Sequence, residues 1–268
     1  MHLALKSLVR QALKKYDIGV TGYKHLEELE ECGKLSNLKA RNMLEIVLGL
    51  PDKHGAQLLR ILRHSTSQLG QDAFALSEND LKENGYFVEF GATNGVDLSN
   101  SFLLEKEFGW RGIVAEPAVG WHEALKSNRN CHVETNCVWK ESGARLTFNE
   151  SDYGELSTIA SYSGSDFHRD NRKHGKEYEV TTISLVDLLD KYGAPRIVDY
   201  LSIDTEGSEY EILSNFDFEK YQFRVITCEH NYEPLRGKVL SLLTENGYGR
   251  KFERLSQFDD WYVKNGLT

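Results

Sequence analysis

The stretch that decides the fold is Tyr86-Phe87-Val88-Glu89-Phe90-Gly91-Ala92-Thr93-Asn94-Gly95. Its first half predicts a buried strand, and its second half predicts a glycine-rich turn. A second apolar run, residues 113–115, ends in Glu116. A carboxylate at the tip of the next strand can accept hydrogen bonds from both ribose hydroxyl groups. The glycines let the backbone approach a ligand where a Cβ atom would collide, so the two segments predict a site for a nucleoside-containing cofactor.

Strands and helices alternate on both sides of this turn, from residue 67 to the end of the chain. The pattern predicts strands at 87–90, 112–115, 131–138, 144–148, 197–203 and 223–228, helices at 98–108, 121–127, 185–192, 209–213 and 239–246, and a terminal hairpin of 250–255 with 261–264. Such alternation is typical of an α/β fold with a mostly parallel, doubly wound, Rossmann-like sheet, here with an antiparallel C-terminal edge strand. Residues 153–176 show neither the helical nor the strand spacing of apolar residues, which predicts a lid or substrate loop.

Residues 1–66 form a different region, in which apolar residues recur at helical spacing and Gly49-Leu50-Pro51 marks a break. We therefore expect an N-terminal helical extension over 1–66 and the main domain over 67–268. The first helix is basic. It is suited to an anionic surface or a partner chain, including a homo-oligomer formed through these helices, or it simply packs its leucines and solvates its lysines.

Composition narrows the functional classes. The chain has 268 residues and a formal net charge of −9, which argues against broad nucleic-acid binding because that depends on Lys and Arg neutralising phosphates. The spacing of its four cysteines fits neither a zinc site nor a disulfide framework, which favours free thiols in a reducing compartment. No apolar run reaches the roughly 20 residues of a membrane span, and no signal-peptide pattern is seen. The cytoplasm is therefore the expected location.

The charge of the turn distinguishes between cofactors. The GxGxxG pattern that supports a pyrophosphate is absent, as is the GxxxxGK[ST] of a phosphate-binding loop. Glu89 would repel a pyrophosphate but suits a cation, such as the sulfonium or ammonium group of S-adenosylmethionine. The negative charge of Glu89 therefore favours S-adenosylmethionine over NAD. An NAD-dependent or nucleotide-sugar enzyme on a similar sheet, and a binding module with an idle fold, remain as alternatives.

Several motifs in order resemble the FkbM family of S-adenosylmethionine-dependent methyltransferases. They are residues 67–72 (SQLGQD), 87–95 (FVEFGATNG), Ser99-Asn100, 109–112 (GWRG), Glu116-Pro117 and 201–213 (LSIDTEGSEYEIL). The resemblance covers residues 67–268. It implies a class I methyltransferase fold and O-methylation, often of sugar or polyketide hydroxyl groups, with many family members acting in glycan biosynthesis. The implied acceptor is a small molecule or a glycan.

The predicted cofactor residues are Gln68, Glu89, Gly91, Ala92, Ser99, Asn100, Glu116 and Asn136. Glu89, Gly91 and Ala92 are expected at the methionine end. Ser99 and Asn100 begin the following helix and are expected near the methionine carboxylate, although Ser99 also fits a plain helix cap. Glu116 is expected at the ribose and Asn136 near the adenine, while Gln68 is implied only by the family resemblance.

Two further acids end predicted strands and are candidates for the chemistry. Asp204 follows one strand, and Glu229, with His230 beside it, ends the next. These three residues can make an oxygen-rich site for Mg²⁺ or another divalent cation, which would orient a hydroxyl group and lower its pKa. In the metal-free alternative, Asp204 contacts cofactor or substrate, and His230 takes the hydroxyl proton as general base.

Overall fold

Two sheets organise the chain in a computed structural model, which describes residues 37–50, 52–151, 157–160, 175–232 and 234–267. The strands are β1 (Tyr86–Phe90), β2 (Arg111–Ala115), β3 (His132–Glu134), β4 (Cys137–Trp139), β5 (Arg145–Glu150), β6 (Thr158–Ile159), β7 (Lys176–Ser184), β8 (Ile197–Ile203), β9 (Gln222–Glu229), β10 (Tyr248–Lys251) and β11 (Asp259–Lys264). The helices are α1 (37–48), α2 (Asp52–Ile61), α3 (Gln71–Glu78), α4 (Phe102–Phe108), α5 (His122–Asn128), α6 (Leu185–Lys191), α7 (Glu209–Ser214) and α8 (Arg236–Glu245).

The main sheet has seven strands in the order β10-β11-β9-β8-β1-β2-β3. Strands β3, β2, β1, β8 and β9 are parallel, while β11 is antiparallel to β9 and β10 to β11. The central strand β8 is buried at every position after its first, as expected of a strand covered by helices on both faces. The predicted fold class, a mostly parallel Rossmann-like sheet with an antiparallel C-terminal edge, is confirmed.

A second sheet, in the order β4-β7-β5-β6, was not predicted. The single strand expected over 131–138 is wrong, because the segment divides into β3 in the main sheet and β4 in the second. Glu134 causes the division, since its Oε1 accepts hydrogen bonds from the backbone N–H groups of Thr135 and Asn136 and turns the chain there. Strand β7 begins at Lys176, the last residue of the expected loop. Residues 153–156 and 161–174 of that loop lie outside the described residues.

The helix expected to begin at residue 98 begins at Phe102 instead. Leu98 has a left-handed backbone, with φ of +60°, which an α-helix does not allow. The next residues are held by Glu89, which accepts hydrogen bonds from the backbone N–H of Asn100 and from the hydroxyl groups of Ser99 and Ser101. The buried acid therefore delays the helix by four residues.

The hydrophobic core lies on both faces of the main sheet. On one face, helices α1 and α2 contribute Met43, Ile46, Val47 and Leu58 to a cluster that also contains Phe74 and Trp261. The described part of the N-terminal region thus packs on the sheet, while the basic first helix, within residues 1–36, lies outside the described residues. The boundary at residue 66 stays a prediction. Within the described ranges no helix combines the length and apolarity needed to cross a bilayer.

Candidate active site

A cavity of about 490 Å³ opens at the carboxyl ends of β1, β2, β8 and β9. In open α/β sheets this edge is where ligands bind. The second sheet forms the opposite wall, through Cys137 and Val138 of β4, Phe148 of β5 and Ile159 of β6. The site therefore joins the acidic strand ends of one sheet to apolar side chains of the other.

Most of the predicted site residues line this cavity, namely Gln68, Glu89, Gly91, Asn100, Glu116, Asp204 and Glu229. Ala92, Ser99, Asn136 and His230 are not among its lining residues. Ala92 is buried in the core. Asn136 turns the chain between β3 and β4, and its neighbours Cys137 and Val138 face the cavity in its place. The structure thus brings seven of the eleven predicted residues together.

Gly91 fixes the geometry of the turn. Its φ is +74°, and its N–H donates to the carbonyl of Ala115 over 3.1 Å. A Cβ atom at this position would lie 2.0 Å from the carbonyl oxygen of Asp204. A residue without a side chain therefore lets the ends of β1 and β8 approach each other, and this approach sets the position of Asp204 at the cavity wall.

Glu116 sits at the tip of β2 and is 5% exposed. One carboxylate oxygen accepts from the N–H of Thr93 over 2.9 Å, and the other accepts from the N–H of Ala118 over 2.8 Å. Burial raises the pKa of Glu116 to about 7, although both amides favour its ionised form. Each oxygen keeps a second lone pair, so the fixed carboxylate suits a pair of ribose hydroxyl groups.

Glu89 has a different environment from the expected one. Its carboxylate accepts from Ser99 Oγ over 2.9 Å, from the N–H of Asn100 over 2.6 Å and from Ser101 Oγ over 2.5 Å. The guanidinium of Arg129 lies 3.5 Å away. Arg129 also lies 2.8 Å from Glu105, so it offsets part of the charge of Glu89 and weakens the negative field of Glu89 at the cavity. Ser99 Oγ meanwhile accepts from the N–H of Phe102, the first residue of α4, so Ser99 supports the start of that helix and does not line the cavity.

Asn100 offers a hydrogen-bond acceptor at the cavity. The side chain is 8% exposed, and its Nδ2 donates to Ser202 Oγ over 2.9 Å. Its Oδ1 is buried and has no hydrogen-bond partner in the structure. An orphaned acceptor costs free energy until a donor reaches it, and the ammonium group of an amino-acid moiety is such a donor. The residues of the turn thus fit the amino-acid end of S-adenosylmethionine, as Glu116 fits its ribose.

Three acids meet at the ends of β8 and β9. Asp204, Glu206 and Glu229 each offer a carboxylate oxygen, and these oxygens lie within 4.8 Å of one another. Burial raises the pKa of Glu229 well above its usual range, and the negative charges of Asp204 and Glu206 raise it further. Asn231 Nδ2 donates to Glu206 Oε2 over 3.3 Å. Sequence reasoning missed Glu206, although the quoted motif DTEG contains it.

His230 does not join this group, contrary to the expectation that it shares a site with Asp204 and Glu229. Its Nδ1 accepts from the N–H of Tyr232 over 3.0 Å, and its Nε2 lies 3.8 Å from Asp260 Oδ1. It lines a separate small pocket beside Arg236. Burial lowers the pKa of His230, partly offset by Asp260. Glu206 occupies the third corner of the acidic group instead.

The second sheet is attached to the loop that carries these acids. Thr158 Oγ1 of β6 donates to the carbonyl of Glu206 over 3.0 Å and lies 3.3 Å from that of Thr205. Strand β6 has two residues, too few for a periodic signal, so neither this contact nor the wall residue Ile159 was visible in the sequence.

A family model described as "Methyltransferase FkbM domain" matches residues 89–249. Solved structures with similarity include precorrin-6y C5,15-methyltransferase from Geobacter metallireducens GS-15 (14% identity, 75% of this chain and 88% of that chain, TM-score 0.41). Ribosomal protein L11 methylase from Lactobacillus delbrueckii subsp. bulgaricus (9%, 73% and 77%, 0.37) and the METTL16 MTase domain (12%, 77% and 69%, 0.39) are further examples. No curated protein matches the sequence significantly. The fold assignment rests on the strand order given above.

Proposed function

Since the chain belongs to the FkbM methyltransferase domain family, and is thus an S-adenosylmethionine-dependent methyltransferase, we propose that its acceptor is a hydroxyl group of a sugar in glycan or polysaccharide biosynthesis. The observation that carries the proposal is the placement of Glu116, Asn100 and the acids of β8 and β9 around one cavity. The first two suit the nucleoside and amino-acid ends of the cofactor, which leaves the acidic group for the reacting end.

The lining of the cavity supports a sugar acceptor. A sugar ring has hydroxyl groups at its edge and C–H groups on its faces. Carboxylates of Asp204, Glu206 and Glu229 suit the hydroxyl groups, and the apolar side chains of Phe148 and Ile159 suit a ring face. The net charge of −9 favours such a small-molecule or glycan acceptor over a nucleic acid.

In methyl transfer to a hydroxyl group, the protein has to align the acceptor with the methyl group and remove the hydroxyl proton. Bound S-adenosylmethionine supplies a methyl group already activated by its positively charged sulfur. Transfer would form a bond from the acceptor oxygen to the methyl carbon and break the S–CH₃ bond, whose electron pair would stay on sulfur, so the residues of the site would have only the hydroxyl proton to remove. The acidic group orients the hydroxyl group and accepts its proton. Within that group we assign the role of base to Glu229, because burial and the negative charges of Asp204 and Glu206 raise its pKa and so its affinity for a proton.

A divalent cation is the second candidate for the same step. Asp204, Glu206 and Glu229 would supply only oxygen ligands, the type that Mg²⁺ binds. We propose the metal-free route and expect full activity after EDTA treatment. Activity that is lost in EDTA and restored by added Mg²⁺ or Mn²⁺ would instead establish the metal.

The function is tested with labelled S-adenosylmethionine and a panel of methyl glycosides and oligosaccharides, together with titrations of S-adenosylhomocysteine and NAD. We expect label transfer to at least one sugar, saturable S-adenosylhomocysteine binding and no NAD binding. Asp204→Asn should lower turnover roughly 100-fold with a smaller effect on cofactor affinity. Glu219→Gln, an exposed acid, is the control. Transfer to other acceptor classes alone would refute the sugar assignment, and cofactor binding without any transfer would favour an idle binding module.

A further inference from the structure

Arg129, which follows α5, is a buried cation beside the cofactor turn and is 4% exposed. Its Nη1 donates to the carbonyl of Gly95 over 3.1 Å and to Ser99 Oγ over 3.2 Å. Its Nη2 donates to Ser101 Oγ over 2.8 Å, and its Nε donates to Glu105 Oε2 over 2.8 Å. The planar fork of one guanidinium thus reaches both ends of the segment 95–101.

Aromatic rings hold the guanidinium in place. Its central carbon lies 5.3 Å from the ring centroid of Phe87 in β1 and 5.9 Å from that of Phe102 in α4. Both distances are within the range of cation–π attraction. Arg129 is therefore fixed by β1 and α4, the two elements that the segment 95–101 connects.

Glu89 holds the same segment from its other side. It accepts from the backbone N–H of Asn100 and from both serine hydroxyl groups that Arg129 also contacts. Its distance of 3.5 Å from Arg129 makes the two an ion pair. Asn100 lies between the two serines in the sequence, and its unpartnered Oδ1 belongs to a residue of the cavity wall.

We propose that Glu89 and Arg129 are a positioning pair. Together they hold the segment 95–101 so that Asn100 meets the amino-acid end of the cofactor, and Glu89 itself does not bind the cofactor's cation. This rests on the proposed function, since it assumes that the cavity binds S-adenosylmethionine. It reassigns Glu89 from ligand to support and gives Arg129, absent from the sequence prediction, a role in cofactor recognition.

The pair has a distinctive energetic consequence. Removing one member of a buried ion pair leaves the other charge uncompensated and is costly, while replacing both members by neutral groups of similar size is much better tolerated. Arg129→Met removes the guanidinium from both Glu89 and Glu105, but Glu105 keeps Lys106 at 3.0 Å. The double substitution Glu89→Gln/Arg129→Met should therefore harm the segment less than Arg129→Met does. A residue that binds the cofactor directly would not show this rescue.

The test uses two probes, S-adenosylhomocysteine and 5′-methylthioadenosine, which lacks the amino-acid end. Dissociation constants are measured by calorimetry for the unsubstituted chain, Arg129→Met, Arg129→Lys, Glu89→Gln and the double variant. We expect Arg129→Met to weaken S-adenosylhomocysteine binding roughly 30-fold or more while methylthioadenosine binding changes little. The double variant should recover most of the loss. Arg129→Lys, which keeps the charge without the fork, should fall between.

Arg145→Met, at an exposed arginine, is the control, and urea unfolding of each variant establishes that it is folded. Should Arg129→Met not fold, Arg129→Lys and the double variant carry the comparison. The inference would be overturned if Arg129→Met lost affinity for both probes equally. It would also be overturned if Glu89→Gln bound S-adenosylhomocysteine much more weakly than the unsubstituted chain and the double variant bound it no better than Glu89→Gln. Failure of the unsubstituted chain to bind S-adenosylhomocysteine would instead refute the proposed function, and the inference with it.

Discussion

Replacing Gly91 by alanine tests whether the approach of β1 to β8 sets the active geometry. The new Cβ atom would lie 2.0 Å from the carbonyl oxygen of Asp204, where real Cβ contacts are essentially never closer than 3.0 Å. The backbone of one strand end must therefore move by about 1 Å. Gly143→Ala is the matched control, since its φ of +79° is nearly the same and no atom lies within 4 Å of its Cβ position.

Both variants place a Cβ atom on a left-handed backbone, but only Gly91→Ala also creates a steric overlap. A left-handed backbone costs a residue with a Cβ atom about 1–2 kcal/mol, which both variants lose from their free energy of unfolding. Only Gly91→Ala adds the overpacking against Asp204, about 1–3 kcal/mol. A displacement of about 1 Å at a catalytic group can lower turnover about 100-fold. We therefore expect that loss for Gly91→Ala and near-normal turnover for Gly143→Ala.

Urea unfolding gives the free energies, and initial rates with labelled S-adenosylmethionine give turnover. The difference between the variants isolates the contact with Asp204, because the backbone term cancels. Equal stability and equal turnover of the two variants would show that the ends of β1 and β8 are not constrained as the structure indicates, and the argument for Gly91 would fail.

Two further predictions concern acids of the site. Because burial raises the pKa of Glu116 from 4.5 to about 7, its contribution to stability is full below about pH 4.5 and is lost by about pH 7. Because the ionised carboxylate is the better acceptor for ribose hydroxyl groups, the affinity for S-adenosylhomocysteine should rise by up to about tenfold per pH unit towards pH 7. Calorimetry should find no such slope in Glu116→Gln. Glu206 has φ of +58°, which glycine adopts without strain, so Glu206→Gly should keep or raise the midpoint of urea unfolding while turnover falls. A lower midpoint with unchanged turnover would contradict this.

Most of the cofactor end of the site could be predicted from the sequence, because a strand followed by glycines and a strand followed by an acid are local patterns. Gly91 and Glu116 lie where those patterns place them. The strand pattern correctly predicted that Glu89 lies at the cavity, but it did not predict that Glu89 pairs with Arg129. Its partner Arg129 lies 40 residues along the chain, and no spacing rule connects the two.

The error at His230 has a simple geometric cause. Successive side chains along a strand point to opposite faces. Since Glu229 ends β9 facing the cavity, the next residue faces away, and His230 does so. Glu206 lies beyond the end of β8, in a turn where Asp204, Thr205 and Glu206 all line the cavity, so its position does not follow from strand alternation. Alternation would therefore have excluded His230 without identifying Glu206.

The second sheet could not have been predicted by local reasoning. Its strands come from 137–139, 145–150, 158–159 and 176–184, and the longest of them pairs with segments about 30 and 45 residues earlier in the chain. Only long-range pairing makes Ile159 a wall residue. The acceptor end of the cavity depends on this sheet, which is why the sequence describes the cofactor more fully than the acceptor.

The preference of the cavity for a positively charged cofactor stays a prediction, and the structure offers different residues to account for it. Glu89 is partly compensated by Arg129, so we assign the negative field mainly to the group at the ends of β8 and β9. Burial, and after it the negative charges of Asp204 and Glu206, raise the pKa of Glu229. A sulfonium relieves the repulsion among these charges, whereas the thioether left after transfer carries no charge. We therefore expect the acids at the ends of β8 and β9 to bind S-adenosylhomocysteine less tightly than S-adenosylmethionine.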